Sequence, residues 1–392
     1  MRYYFNLHFN LPKQQSTYDY IILGAGCAGL SLLMRFLHTP QLANKKILLI
    51  DKHPKNTNNR TWCFWEKQAG FFDSIIYKKW TSLLFGCGEY VKSLSIKPYT
   101  YKMIRGIDLY DYCFTEISKH PNVEIIYDDI LYYSSEKIIL ANGEVQCNNA
   151  IVFNSTYKNL PQQKNKHYLL QHFKGKVIET IQPFFDETKA TLMDFRVHQN
   201  HGTAFVYVMP LSPFKALIEY TLFTSALLTP EQYEAELNNY INNNLQLKDY
   251  TVIEEEFGVI PMTNAVFSII ENGVYNIGTA GGQTKASTGY TFQFIQKQTE
   301  AIVTLLLQNK KPVVSADFFK KRFKFYDSTL LNLLTNQHLD GSDFFSTLYK
   351  NNSAAAIFKF LDNETTLVEE LKIMNTAPRW LFTKAAFKEM FS

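Results

Sequence analysis

The sequence predicts an α/β protein, in which a nucleotide-binding unit is joined to a sheet-based part and a helical C-terminal region. Two observations lead to this fold class. A glycine-rich turn near the N-terminus lies between a buried strand and a helix, and residues 206–221 have the aromatic and β-branched composition of strands. The last segment, 378–391, instead has the composition of a short helix.

Composition limits the class of protein. The 392 residues suffice for two or three domains, and 46% hydrophobic with 19% charged residues is typical of a folded chain. The net charge is +4 without a basic block, so nothing indicates nucleic-acid binding. The five cysteines include no CxxC pair, which indicates a reducing compartment and neither a zinc site nor a disulfide framework.

A dinucleotide-binding fingerprint occupies residues 18–51. The segment "YDYIILGA" predicts a buried strand, the glycines that follow have GxGxxG spacing, and "KKILLID" predicts a second strand that ends in Asp51. Gly24 permits the tight turn, Gly26 lets the backbone reach a pyrophosphate, and Gly29 lets the helix pack on the strand. The helix N-terminus would then bind phosphates, and Asp51 would accept a hydrogen bond from a ribose hydroxyl.

The segments after the fingerprint favour FAD over a nicotinamide cofactor. "NTNNRTWCFWEKQAGFFDS" is irregular and aromatic and does not continue the βα repeat, and residues 123–156 predict a β-meander. Residues 272–306 predict a strand, a loop and a long helix, and the loop amides can reach a flavin ribityl chain and pyrophosphate. The glycines of this loop are Gly278, Gly281 and Gly282.

Glu219 lies in the middle of "FKALIEYTLFT" (214–224), a predicted strand joined by a proline-containing turn to the predicted strand "TAFVYVMPLSP". A single carboxylate in such a strand has two interpretations. It faces water on an outer surface, or it is buried among apolar groups, where burial raises the pKa of a glutamate. A buried acid that stays neutral is suited to general acid catalysis.

Four motifs resemble those of lycopene cyclases, the FAD-dependent enzymes that form carotenoid rings. In chain order they are "RTWCFWE" (60–66), "VYVMPLSPFKALIEYT" (206–221), "GVIPM" (258–262) and "IGTAGGQTKASTGYTF" (277–292). The segment "FKFLDNETTLVEELKIM" (358–374) also resembles the tail of the bacterial members. Plant members have the paired-acid segment Phe-Leu-Glu-Glu-Thr, whereas this chain has Tyr220 in place of the second acid.

The resemblance implies a lycopene β-cyclase that closes β-ionone rings at both ends of lycopene, giving β-carotene through γ-carotene, with reduced FAD and no net redox change. Glu219 would be the acid that protonates an alkene, although the flavin is an alternative proton source. Aromatic faces would stabilise the carbocation and exclude water. The expected substrate pocket contains Trp62, Phe64, Trp65, Phe205, Tyr207, Pro261 and Met262.

The implied architecture is the Rossmann-like FAD-binding fold of the aromatic-hydroxylase type of flavoprotein. We expect a discontinuous FAD-binding domain at 17–160 and 256–310, a β-sheet substrate domain at 161–255 and a helical C-terminal region at 311–392. Residues 71–100 belong to either of the first two domains. The expected reductant of FAD is NAD(P)H, and the expected FAD-binding residues are Gly24, Ala25, Gly26, Gly29, Asp51, Lys52, Arg60, Gly278, Gly281 and Gly282.

Lycopene is a hydrocarbon dissolved in lipid, yet no segment reaches the roughly 18 apolar residues of a membrane-spanning helix. The apolar run near the N-terminus follows a polar segment and is explained by the fingerprint, so we do not interpret it as a signal peptide. We expect peripheral attachment on the cytoplasmic side of a membrane. The segment 378–391 mixes aromatic and basic residues and is one candidate for the contact, with a helix packed on the FAD domain as the alternative.

Two other functions fit the same motifs. A flavin-dependent reductase or hydroxylase that acts on a lipophilic isoprenoid or aromatic substrate would consume reduced nicotinamide in every turnover. A non-catalytic carotenoid carrier with a structural flavin would tolerate the loss of Glu219 and would leave lycopene unchanged.

Overall fold

A computed structural model describes residues 17–88, 90–157, 163–314 and 318–391. In chain order its strands are β1 (Tyr20–Leu23), β2 (Ile47–Asp51), β3 (Thr61–Glu66), β4 (Lys78–Trp80), β5 (Ser82–Cys87), β6 (Tyr90–Ser95), β7 (Thr100–Arg105), β8 (Val123–Tyr127), β9 (Ile130–Tyr133), β10 (Lys137–Leu140), β11 (Gly143–Gln146), β12 (Ile151–Asn154), β13 (Tyr168–Glu179), β14 (Lys189–Asp194), β15 (Thr203–Ser212), β16 (Lys215–Thr224), β17 (Thr251–Thr263), β18 (Ile270–Glu271) and β19 (Val274–Asn276). Its α-helices are α1 (Cys27–Leu37), α2 (Gly106–Ile117), α3 (Pro230–Asn239), α4 (Phe292–Leu307), α5 (Phe318–Thr335), α6 (Gly341–Asn351), α7 (Ala354–Leu361), α8 (Leu367–Met374) and α9 (Arg379–Met390).

A six-stranded sheet in the order β18-β19-β12-β1-β2-β8 forms the nucleotide-binding part. Strands β8, β2, β1, β12 and β19 are parallel, and only the short β18 is antiparallel. Both β1 and β2 are buried along their whole length, as expected for parallel strands that are covered on both faces. Helices α1 and α4 pack together in the core of this part. The predicted strand, glycine loop, helix and strand are therefore all present.

Two parts of the expected nucleotide domain differ from the prediction. Within 123–156 only β9, β10 and β11 form a meander, whereas β8 and β12 join the parallel sheet, so the prediction of a single meander is wrong at both ends. Short strands separated by turns have the same pattern in both arrangements, and their pairing depends on distant partners such as β1. The segment expected to be irregular contains β3, which pairs with β7 in a small three-stranded sheet.

A seven-stranded sheet in the order β17-β13-β16-β15-β14-β5-β6 forms the second part. Neighbouring strands are antiparallel except β14 and β5. One face is covered by α3, and the other packs against β3, β7 and helices α5 to α7. Strands β5 and β6 come from the segment 71–100, and β17 continues past residue 255 to Thr263. This sheet therefore draws strands from both sides of the expected domain boundaries.

Helix α9 packs on α5. The contact is polar as well as apolar, because the Glu389 carboxylate lies 2.7 Å from His167 Nε2 and accepts a hydrogen bond at 2.7 Å from the Asn332 amide. The hydroxyl of Ser328 also donates to Glu389. The C-terminal segment is thus anchored on one side to the helical region.

A buried ion pair fixes the loop between β19 and α4. Lys285, whose side chain is 1% exposed, donates to both carboxylate oxygens of Asp327 on α5, at 2.8 and 3.0 Å. Lys285 donates a third hydrogen bond to the Asn363 side chain at 2.9 Å. The hydroxyl of Ser287 donates to Asp327 at 2.7 Å. The second glycine cluster is therefore attached to the helical region by charge-assisted hydrogen bonds.

Replacing Asp327 by Asn should destabilise the protein strongly, because Lys285 would remain buried without an opposite charge. We expect the free energy of unfolding, measured by chemical denaturation, to fall by about 3 kcal/mol. The matched control is Glu364→Gln, which removes the exposed pairs with Lys297 and Lys67 and should cost less than about 1 kcal/mol. Equal losses in the two variants would contradict this role of the buried pair.

Candidate active site

Helix α1 begins directly after β1 because glycines allow a sharp turn and a close approach. Gly24 has a φ of +96°, and a Cβ on Gly29 would lie 1.9 Å from the Gly24 carbonyl oxygen. Only glycine at these two positions lets the helix pack so closely on the end of the strand. The N–H of Ala25 donates to Asp51 at 2.6 Å, which ties the loop to the end of β2.

Gly26 lies at the N-terminus of α1 and faces open space. A Cβ at this position would meet nothing within 4 Å, and no side chain caps this end of the helix. The first N–H groups of an α-helix have no partner within the helix, and with the helix dipole they attract anions. The residues present here therefore fit a pyrophosphate.

The polar residues expected near the cofactor differ in their positions. Asp51 is buried, and besides Ala25 it binds Lys55, whose Nζ lies at 2.7 Å. Lys52 is exposed and pairs with Asp129 at 3.0 Å, and the side chain of Arg60 is also exposed. Asp51, at the end of β2, thus contacts the glycine loop. Contacts of Lys52 and Arg60 with a cofactor remain predictions.

The second glycine cluster lies against the first. Gly278 has a φ of +61°, and a Cβ there would lie 2.4 Å from the Cβ of Ala28 in the first turn of α1. A Cβ on Gly281 would lie 2.4 Å from the Asn276 carbonyl oxygen, and Gly282 has a φ of +72°. The fold therefore brings together two loops that are far apart in the sequence, as a shared nucleotide site requires.

Two buried polar atoms near the end of this loop have no hydrogen-bond partner within the described chain. They are Gln171 Oε1 on β13 and Thr288 Oγ1. A Cβ on Gly289 would lie 2.2 Å from Gln171 Oε1, so this oxygen lies directly beside the loop. Because buried polar groups are normally hydrogen-bonded, these atoms fit a polar ligand that extends along the loop towards the seven-stranded sheet.

Glu219 belongs to a row of paired residues across the seven-stranded sheet. The row runs from Tyr207 on β15 through Glu219 on β16 and Gly175 on β13 to Glu256 on β17. Directly paired residues point to the same face of a sheet. This face packs against β3, β7 and the C-terminal helices, so Glu219 points into the interior and not to the α3 side.

We infer that the carboxyl of Glu219 borders an internal cavity, because Glu219 and Tyr290 each retain some accessible surface although protein surrounds both of them. The Tyr290 hydroxyl interacts with those of Tyr101 and Tyr207, and the thiol of Cys63 faces the same space. The cavity therefore has aromatic and weakly polar walls from the sheet, from β3 and β7, and from the loop before α4.

Glu256 is a site residue that sequence analysis missed. Gly175 separates it from Glu219, and a Cβ on this glycine would lie 3.0 Å from Glu256 Cγ. Each carboxyl accepts one hydroxyl hydrogen bond, from Thr221 to Glu219 at 2.9 Å and from Thr61 to Glu256 at 2.8 Å. A second acid, absent from the sequence next to Glu219, thus comes from another strand.

Both carboxyl groups resist ionisation. Burial raises the pKa of Glu219 well above the usual value for glutamate, and the charge of Glu256 raises it further, while the hydrogen bond from Thr221 acts in the opposite direction. Burial also raises the pKa of Glu256, with the hydrogen bond from Thr61 as the main opposing effect. Burial raises the pKa of Tyr290 to about 12, so this wall of the cavity is a neutral hydroxyl.

The structure separates the expected pocket residues into two groups. Trp65, Phe205, Tyr207 and Met262 belong to the core cluster on the Glu219 side of the sheet, whereas Pro261, next to Met262 on β17, alternates to the opposite face. Side chains alternate along β3, so Trp62 and Phe64 point the other way, towards α1 and α4. Phe64 stacks on Phe292 at 4.2 Å, within the nucleotide-binding part. We therefore leave Trp62 and Phe64 out of the candidate pocket.

Trp65 forms a rigid wall on the Glu219 side. Its ring stacks on Phe358 of α7 with centroids 4.2 Å apart, and its indole N–H donates to Asp362 at 2.8 Å. The Tyr290 ring meets Trp65 edge-on at 4.6 Å. A neutral carboxylic acid in such surroundings can transfer a proton to a weakly basic, apolar molecule, because water and competing bases are excluded.

Known proteins include relatives of this chain in sequence. The chain is 26% identical to the lycopene beta-cyclase of Pantoea ananas over 71% of this chain and 72% of the relative. It is 23% identical to the capsanthin/capsorubin synthase of Citrus sinensis and to the lycopene beta cyclase of Nicotiana tabacum, each over 73% of this chain. The matches span only 59% and 60% of these plant relatives.

Solved structures with a similar fold include a flavin-dependent brominase, with a TM-score of 0.55 and 12% identity over 95% of this chain and 94% of that one. A geranylgeranyl bacteriochlorophyll reductase-like protein of Thermoplasma acidophilum matches with a TM-score of 0.65 and 14% identity, over 94% of this chain and 98% of that one. The p-nitrophenol 4-monooxygenase of Pseudomonas putida matches with a TM-score of 0.55 and 10% identity, over 95% and 97%. The fold is therefore the expected Rossmann-like flavoprotein fold. The model of the lycopene cyclase protein family matches residues 19–387, so the chain belongs to the lycopene cyclase family.

Proposed function

We propose that this protein is a lycopene β-cyclase, which converts the acyclic ends of lycopene into β-ionone rings without net oxidation or reduction. The observation that carries the proposal is the position of Glu219, a carboxyl group beside Tyr207 on the face of the sheet that meets the aromatic core cluster, where burial raises its pKa. Membership of the family and the similarity to the bacterial β-cyclase support a carotenoid substrate. The reaction is an intramolecular isomerisation.

In the proposed reaction Glu219 donates its proton to the terminal alkene of the end group, which leaves a carboxylate and a tertiary carbocation. The neighbouring alkene attacks this cation and closes the six-membered ring. The ring cation then loses a proton to the carboxylate, which forms the ring olefin and restores the acid. One proton is donated and one is recovered, so the reaction is balanced without an oxidant.

The cavity walls protect and stabilise the cation. The faces of Trp65, Tyr207 and Tyr290 can each contribute roughly 0.5–2 kcal/mol of cation–π stabilisation. With a pKa of about 12, Tyr290 presents a hydroxyl and not a phenolate, so it is a poor trap for the cation.

FAD, reduced by NAD(P)H, is the proposed cofactor. The residues that would hold it are the α1 N-terminus at Gly26, Asp51 at the end of β2, and the loop that begins at Gly278. When bound in its reduced form, it supplies negative charge near the cation in a site of low dielectric constant.

Peripheral membrane attachment on the cytoplasmic side is also part of the proposal. Within the described residues, no helix combines the length and the apolar character needed to cross a bilayer. The side of α9 away from α5 carries Trp380, Lys384, Phe387, Lys388 and Phe391 at spacings that place them on one stripe. The aromatic members are 79%, 65% and 75% exposed, and such a mixture of aromatic and basic residues suits a lipid interface.

Helix α8, which precedes α9 in the chain, also carries exposed apolar residues. Leu367, Val368 and Leu371 are exposed on it, and Lys372 follows. The apolar side chains and lysines of α8 and of the stripe on α9 match a membrane with anionic lipids.

Replacing Gly26 by Val should abolish flavin retention and leave the fold intact. The added side chain meets open space in the protein, where the pyrophosphate would lie. Flavin absorbance and thermal unfolding of the purified variant measure the two effects. Gly29→Val is the contrasting control, because its side chain would overlap the Gly24 carbonyl and should prevent folding. A Gly26→Val protein with full flavin absorbance would refute the assignment.

Replacing Glu219 by Gln should lower the cyclisation rate at least about 100-fold, since Gln has no proton to transfer. The measurement is the yield of cyclic carotenoid from lycopene in liposomes under anaerobic, reducing conditions, with flavin content and lycopene binding checked in parallel. Glu219→Asp should be intermediate, because it keeps the acid but withdraws it from the alkene. Normal product from Glu219→Gln would exclude this acid, and NADPH consumption equal to product would indicate a reductase.

Replacing Trp380 and Phe387 together by Ser should reduce sedimentation with vesicles that contain anionic lipids, without loss of flavin. A double substitution is preferable to deletion of 378–391, because Glu389 anchors this helix to α5. The control replaces Leu131 and Tyr132, which are exposed on β9, by Ser. If both variants sediment like the unmodified protein, the membrane contact lies elsewhere.

A further inference from the structure

Glu256 reaches towards Glu219 over a glycine. Gly175 pairs with Glu219 on one side and with Glu256 on the other, so the strand between the two acids has no side chain at this point. Two strand spacings amount to about 10 Å between the outer backbones. Two glutamate side chains that extend towards each other bridge this gap. The position of Glu256 Cγ, only 3.0 Å from where a Cβ of residue 175 would be, shows that its side chain crosses the glycine.

The hydrogen bonds of the pair leave one buried oxygen without a partner. Thr221 donates to Glu219 Oε1 and Thr61 donates to Glu256 Oε2, whereas Glu256 Oε1 is buried and has no donor among the described residues. Two ionised carboxylates would repel each other here, and a buried acceptor without a donor is unfavourable. A proton held between the two carboxyls removes both difficulties.

We propose that Glu219 and Glu256 form an acid pair that shares one proton, in which Glu256 acts as a positioning residue that keeps Glu219 protonated and faces solvent on its other side. This inference rests on the proposed cyclase function. It assigns Glu219 to the proton transfer with substrate, and it assigns Glu256 to holding the proton on Glu219 and to exchanging it with the exterior.

The groups around the pair leave the shared proton in place. On the cavity side the neighbours are neutral hydroxyls and a thiol, all with pKa values raised by burial, so they bring no charge. On the outer side Glu254 adds negative charge and Arg60 adds positive charge, and the two act on Glu256 in opposite directions. The titratable or charged groups around the pair are Arg60, Cys63, Tyr101, Tyr207, Glu254 and Tyr290, and the cleft that Glu256 reaches is also lined by Tyr77, Arg105, Lys215 and Glu255.

Glu256 connects the pair to the surface. Together with Thr61 it lines a cleft that opens beside Arg105 and Glu254, on the edge of the sheet formed by β17. Glu219 borders the internal cavity instead. A proton lost to solvent can therefore be replaced through Glu256 without admitting water to the apolar cavity in which the carbocation forms.

The test is the pH dependence of cyclisation in the flavin-loaded protein. Removing the Glu256 charge removes a cause of the raised pKa of Glu219, so Glu219 should ionise at lower pH in Glu256→Gln. The alkaline limb of the rate should move down by at least about one pH unit, whereas the rate at acidic pH approaches that of the unmodified protein. Glu255→Gln is the control, because this neighbour is paired with Lys174 on the opposite face, and its profile should not move.

Gly175→Ala crowds the contact between the two carboxyls without changing any charge. Its Cβ would lie 3.0 Å from Glu256 Cγ and from Leu217 Cδ1 and 3.2 Å from Glu256 Oε1, so the Glu256 side chain must shift by a few tenths of an ångström. This variant should shift the profile in the same direction as Glu256→Gln. An unchanged profile in both folded, flavin-loaded variants would overturn the pair.

Infrared titration gives a readout that does not depend on activity, because a protonated carboxyl group absorbs at a different infrared frequency from a carboxylate. The band that Glu219→Gln removes should titrate at higher pH in the unmodified protein than in Glu256→Gln. Equal titration in these two proteins would overturn the pair even if lycopene is cyclised normally. If the band shifts as expected but lycopene is not cyclised, the pair stands and the proposed function fails.

Discussion

The register of β13 between its two neighbours is the constraint on which the site depends. Because side chains alternate along a strand, a slip of one residue would move Gly175 out of the row and turn the other face of β13 towards the cavity. The same register places Glu219 and Tyr207 on the face that meets β3, β7 and the C-terminal helices. The walls, the acid and its partner are therefore specified together by backbone pairing.

Much of the nucleotide-binding part could be predicted from the sequence because its signals are local. The tight turn at Gly24, the open position of Gly26 and the close contact at Gly29 follow from the size and freedom of glycine within a short segment. The aromatic and β-branched composition around Glu219 also predicted a strand pair of the right length and position. Both glycine loops were predicted to bind the same cofactor, and the close contact between Gly278 and Ala28 brings the two loops together.

The remainder could not be predicted because it depends on pairing between distant segments. Nothing in "EEEFGVIPM" shows that Glu256 lies two strands from Glu219, since that fact is a matter of register and not of spacing. Trp62 and Phe64 lie on one face of β3 and Trp65 lies on the other. Tertiary packing decides which core each face meets, and this cannot be derived from the local sequence. Strands β8 and β12 were misassigned for the same reason, because the sequence of a short strand does not show with which strand it pairs.

The burial of Glu219 also couples folding of the protein to uptake of a proton. In the unfolded chain this carboxyl has the usual pKa of a glutamate, whereas burial raises its pKa in the folded protein, so folding favours the protonated form. Its contribution to stability is therefore fully present below the unfolded pKa and is lost as pH rises through the folded pKa. The cavity walls come from the seven-stranded sheet, from β3 and β7, and from the loop before α4, so the raised pKa requires that these elements have packed together. Alkaline conditions thus oppose the packing of these elements around Glu219, and the reactive acid makes the folded protein less stable at high pH.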